Sequence, residues 1–87
     1  MADARHVLSP IQCRMARAAL EWSLDALANA SGINRWTILR FENGESATRL
    51  KNREALRQSF EAAGVRFLDE GVNKGGVVPP VSPQGER

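Results

Sequence analysis

Gly32 is followed two residues later by Asn34, so a helix stop and the next helix start are separated by one residue, Ile33. Glycine closes a helix cheaply because it accepts positive φ, and asparagine caps the next one by accepting from its free N–H groups. The segment before Gly32 opens at Ser23, a cap, with Asp25 in the first turn where the helix dipole favours a carboxylate. Leu24, Leu27, Ala28 and Ser31 give it an apolar-to-small face. The segment after Asn34 runs from Arg35 to about Glu42 and stops at Asn43-Gly44, with Ile38 and Phe41 inward and Arg35, Trp36, Leu39 and Arg40 directed elsewhere. Two short helices joined this tightly need a small residue where they approach, which Ala28 supplies, while Ile33, Ile38 and Phe41 fill the corner. Such a corner stands on its own as a packing unit, and it is also the frame that sets a helix into a DNA groove.

Around the corner the chain supplies two more helices. Ser9-Pro10-Ile11-Gln12 carries a capping-box start with proline in the first turn, predicting a first helix to about Glu21. Its apolar residues lie nearly all round, so periodicity leaves its buried face open. A fourth helix is expected over Asn52 to Ala63, with Leu56, Phe60 and Ala63 on one face and Gly64 ending it. Val65-Arg66-Phe67-Leu68 alternates like a strand, Asn73-Lys74-Gly75-Gly76 is turn chemistry, and Val77-Val78 can pair back as a hairpin. The expected organisation is a flexible N-terminus over 1–8, a helical domain over 9–64, a hairpin and dimerisation element over 65–78, and a disordered tail over 79–87, with the dimer surface expected on either the fourth helix or the hairpin edge.

Composition narrows the function. At 87 residues the chain suits one small domain whose marginal core gains from dimerisation. No apolar run approaches the roughly 18 residues of a membrane span, and the N-terminus lacks the order of a signal peptide, so the expected setting is the cytoplasm, with no membrane partner. Cys13 is the single cysteine and His6 the single histidine, which leaves no internal disulfide and no Cys/His metal cluster. With no nucleophile–base pair, glycine-rich phosphate loop or metal set, an enzyme is not expected, nor any cofactor. Net charge is only +2. Its distribution says more: Arg14, Arg17, Arg35, Arg40, Arg49, Lys51, Arg53 and Arg57 outnumber Glu21, Asp25, Glu42, Glu45 and Glu54, and the chain from residue 58 onward is slightly acidic. A basic middle beside an acidic end suits a polyanion, although a mixed-charge solvated surface reads the same way.

Residues 12–44, centred on the stretch from Trp22-Ser23-Leu24-Asp25 through Gly32-Ile33-Asn34-Arg35-Trp36-Thr37-Ile38 to Phe41-Glu42-Asn43-Gly44, resemble the Cro/cI-type (XRE-like) helix-turn-helix regulators. The continuation Glu61 to Gly71 also looks like the C-terminal extension of small bacterial members. The resemblance implies a mainly α fold, a compact four-helix helix-turn-helix domain of lambda-repressor-like form, here with a short C-terminal β-hairpin and a disordered tail. It turns Cys13, Ala16 and Leu20 inward on the first helix, and pairs Arg17 with Glu42 in an internal salt bridge.

For DNA, the resemblance assigns Asn34, Arg35, Trp36, Thr37 and Arg40 to base edges. Arginine can offer two parallel donors to guanine and asparagine can pair with adenine. Tryptophan is unusual there, and suits either a thymine methyl or a partner protein. Phosphate contacts fall to Arg14, Ser23, Asn43, Arg49 and Lys51, helped by free helix N–H groups. The remaining bases Arg53, Arg57 and Arg66 are expected to serve solubility. One departure stands out: Leu24 occupies a position where the family commonly has a bracing glutamine, and leucine cannot hydrogen-bond. The expected function is a sequence-specific regulator, a repressor that binds a palindromic operator as a homodimer, in a bacterial or phage setting. The competing expectation is a protein-interaction module or antitoxin-type protein that keeps the corner but binds a toxin or other regulator.

Overall fold

The computed structural model describes residues 7–45 and 48–81. Four helices come in order, α1 (Pro10–Leu20), α2 (Leu24–Ser31), α3 (Arg35–Glu42) and α4 (Leu50–Ala62), followed by β1 (Arg66–Phe67) and β2 (Val77–Val78). The capping box of α1 is formed reciprocally, the Gln12 N–H reaching Ser9 Oγ at 3.2 Å and the Ser9 N–H reaching Gln12 Oε1 at 3.0 Å. Glu21, left-handed at φ 57°, closes α1, and the Trp22 N–H reaches back five residues to the Arg17 carbonyl at 2.9 Å. Ser23 caps α2 by accepting from the Ala26 N–H. Gly32, at φ 75°, ends α2 and donates to the Ala28 carbonyl at 2.9 Å. A Cβ there would meet nothing, so the glycine is required by its backbone angle alone.

The core joins all the elements: Leu8, Cys13, Ala16, Leu27, Ile38, Phe41, Leu56, Phe60, Val65 and Phe67 are buried, with Leu20, Trp22, Leu24, Ala28, Ile33 and Val77 packed against them. Trp22 stacks on Phe60, which in turn meets Phe67 edge-on. α2 packs on both α3 and α4, α1 packs on α3 and α4, and β2 lies against α1. β1 and β2 pair antiparallel with Arg66 opposite Val78 and Phe67 opposite Val77.

Three expectations are corrected. α4 begins at Leu50, two residues before Asn52, and Arg49 precedes it without a side-chain cap. Its first turn is held instead by Arg53, whose Nε and Nη2 lie 3.1 and 2.8 Å from the Leu8 carbonyl and whose guanidinium covers Phe41. Leu8, expected to fray, is fully buried beneath that clamp. The flexible-segment expectation otherwise concerns residues 1–6, which lie outside the described residues. Finally, the expected tail does not begin at Pro79. Pro80 is half-buried, and packs so closely on Gly64 that a Cβ there would come within 2.7 Å of the proline ring. Residues 82–87 of that tail also lie outside the described residues. Among the described residues no helix is long and apolar enough to cross a membrane.

Candidate nucleic-acid interface

α3 presents two unlike sides. Ile38, Phe41 and Glu42 are buried, while Trp36, Arg40 and Asn43 are exposed at four- and three-residue steps, one line along the helix. Arg35 is exposed on the flank of that line; Thr37 and Leu39 are half-buried beside it.

The buried side is fixed to α1 by charge. Arg17 Nε and Nη2 each lie 2.8 Å from an oxygen of Glu42, a carboxylate only 3% exposed. Arg17 also donates to the Trp22 carbonyl through Nη1, so one guanidinium joins α1, the turn after it and α3. Cys13 Sγ donates to Glu42 Oε2 at 3.1 Å. Burial, reinforced by that hydrogen bond, pushes the Cys13 thiol well above its ordinary pKa, which keeps it neutral beside the carboxylate. The hydrogen bonds to Glu42 raise the Arg17 pKa further. Arg14 donates to the Glu42 carbonyl at the C-terminal end of α3, where a cation suits the helix dipole. α3 is thereby held at its far end by three α1 side chains.

At the other end, Asn34 Oδ1 accepts from the Trp36 N–H at 2.8 Å, so its amide oxygen serves as the cap. Arg35 Nε makes an ion pair with Asp25 Oδ1 at 3.1 Å, linking the first turns of α2 and α3. Its guanidinium carbon stands 5.7 Å from the centre of the Trp36 ring. The indole itself is 59% exposed, an uncommon placement for the largest apolar side chain of a small domain.

The side chains expected on phosphates are spread over four elements. Ser23 is exposed at the start of α2 with its hydroxyl engaged in the cap. Asn43 is exposed after α3, its Nδ2 3.4 Å from Glu45 Oε2. Arg49 and Lys51 are exposed at the start of α4, and Arg14 is exposed but already spends a donor on Glu42. The structure thus brings Asn34, Arg35 and Trp36 together at the first turn of α3, with Arg40 one turn along.

Two expected solubility residues have other work, which corrects that expectation. Arg53 is the Leu8 clamp described above. Arg57 makes a two-pronged pair with Asp69, at 3.0 and 2.8 Å, donates through Nε to Glu61 Oε2 at 2.9 Å and covers the Phe67 ring, so it ties α4 to the hairpin. These long-range partners carry no local sequence signal. Asp25 was legible only as a first-turn carboxylate, yet it is the partner of Arg35.

A family model for the helix-turn-helix matches residues 14–58, which takes in most of α1, all of α2 and α3 and most of α4. No curated protein matches the chain.

Proposed function

This chain belongs to the helix-turn-helix family, whose model covers more than half of it, and from that premise we propose that it is a repressor that occupies a palindromic operator as a homodimer. The family is one of DNA-binding regulators of the Cro/cI type. The observation that carries the specific reading is the exposed side of α3, where Trp36 and Arg40 on one line and Arg35 on its flank project from a helix anchored on its opposite side by Arg17, Arg14 and Cys13. A helix about 10–12 Å across fits a major groove about 12 Å wide. Asn34, Arg35, Trp36, Thr37 and Arg40 then face base edges, while Arg14, Ser23, Asn43, Arg49 and Lys51 border the phosphates.

One such helix spans too few base pairs to find a site in a genome, and two-fold pairing on half-sites about one helical turn apart repairs this. The hairpin offers the pairing edge. The Leu68 N–H donates to the Gly76 carbonyl, and hydrogen-bonded pairs alternate along an antiparallel ladder. The Phe67 N–H and carbonyl therefore face away from β2. They border an open groove of about 500 Å³ lined by Glu61, Gly64, Val65, Arg66 and Phe67. Arg66 and Glu61 give that groove both signs of charge, as a surface that pairs with its own copy requires.

Salt titration of duplex binding tests the regulator reading. Affinity is expected to fall by roughly 0.9 log units per phosphate contact for each log unit of salt. A response flat in salt, or no duplex binding, would instead favour the protein-interaction module, for which the exposed Trp36 is the anchor.

A further inference from the structure

We propose that Asp25 is a positioning residue for base recognition: it holds Arg35 by Nε so that the two-donor edge of the guanidinium is presented to guanine. The inference rests on the DNA-binding reading above and deepens it. Arginine carries five donors in a flat fork, and recognition of guanine O6 and N7 uses two parallel ones. The closest approach of Asp25 to Arg35 is at Nε, 3.1 Å from Oδ1, on the side of the fork nearest the helix. The edge formed by Nη1 and Nη2 lies at the far end of the guanidinium from Nε. Trp36 limits the same guanidinium from another side, 5.7 Å from its ring centre. Arg35 is thus restrained by a carboxylate from α2 and an indole from α3 while its side chain stays 47% exposed.

Leu24 explains why a brace is needed from Asp25. It is half-buried against the core and has no polar atom to offer the recognition helix. The next residue along supplies one. The arrangement carries a cost that makes it testable, because a carboxylate near the duplex repels phosphate. Asp25 therefore weakens binding to every sequence and strengthens the preference for one base pair. A residue serving only the α2 dipole would repel phosphate as well, but would leave the preference at a single base pair unchanged.

The experiment uses the full chain and an operator selected by it from a random duplex pool. Replacing the guanine read by Arg35 with 7-deazaguanine is expected to weaken binding about tenfold, within the range of a bidentate contact. In Asp25→Asn that loss should shrink to about twofold, while affinity for unselected duplex rises. In Arg35→Ala the modified base should make no difference, and adding Asp25→Asn should change nothing further at that position. Asp25→Glu, which keeps the first-turn charge, should recover part of the discrimination. Full discrimination in Asp25→Asn overturns the proposal, as does an equal loss on every sequence or an Arg35→Ala that alters no single base preference. If the unaltered chain binds no duplex at all, the regulator reading falls with it; if it binds and only the Asp25 effect is missing, that reading stands.

Discussion

Arg17 on α1 and Glu42 on α3 meet side by side, the two guanidinium nitrogens each 2.8 Å from a different carboxylate oxygen. Paired in this way, a charge 3% exposed is tolerated; alone it would be stranded. Arg17→Ala is expected to lower unfolding free energy by about 3 kcal/mol in urea titration. Replacing both partners by methionine should cost clearly less, because no buried charge is left without a partner. A single variant no worse than the double would show that the pair does not hold α3.

Cys13 shares the Glu42 carboxylate, and its raised pKa has a consequence for stability. In the unfolded chain the thiol ionises near its ordinary value of about 9, whereas the folded chain keeps its proton there. The folded state is thus favoured fully below that pH and loses ground as pH rises above it, by about 1.4 kcal/mol per pH unit. The chain has no tyrosine to complicate the alkaline range. Denaturation at successive pH values should show this decline, and Cys13→Ala should flatten it. A decline that persists unchanged in Cys13→Ala would assign it to other groups. The native thiol should also resist a disulfide-exchange reagent until the protein is unfolded.

Leu8 and Pro80 both pack against the body of the fold near the two ends of the described residues. A chain that starts at Val7 serves as the reference for the truncation. Removing Leu8 as well should cost about 2–5 kcal/mol, since a fully buried leucine and the acceptor for Arg53 go together. Gly64→Ala should also destabilise, because φ is 99° and Pro80 leaves no room for a Cβ. Thermal melts of the truncations and of Gly64→Ala check both; equal stability with and without Leu8 would refute the clamp.

The helices were legible because their ends are written locally. Ser9 with Gln12, Ser23, Asn34 and Gly32 each act within three or four residues, and α2 and α3 have the bounds those signals imply. α4 was misplaced by two residues because its start is held by Arg53 on Leu8, forty-five positions away, and no cap announces it. The same limit hid Arg57 with Asp69 and Asp25 with Arg35, since an arginine in a sequence looks alike whether it faces water, a carbonyl or a carboxylate. The exposed side of α3 was readable as a consequence of the apolar pattern of Ile38 and Phe41. Which element braces Arg35 was not, because it depends on how closely two helices are brought together.

Arg40 and Lys51 separate base reading from phosphate attraction. Arg40 is exposed one turn along α3 from Trp36, and among the described residues it has no ion-pair partner; Lys51 is exposed at the start of α4. If α3 enters the groove, Arg40 meets base edges and Lys51 meets the backbone. Arg40→Ala should therefore cost about 1–3 kcal/mol on the selected operator and relax preference at one base pair. Lys51→Ala should weaken selected and unselected duplexes alike and reduce the salt slope by about 1. Titrations of both variants on both duplexes at two salt concentrations decide the matter. An Arg40→Ala that weakens every sequence equally places that guanidinium on phosphate, and the docking of α3 would then have to be turned about its axis.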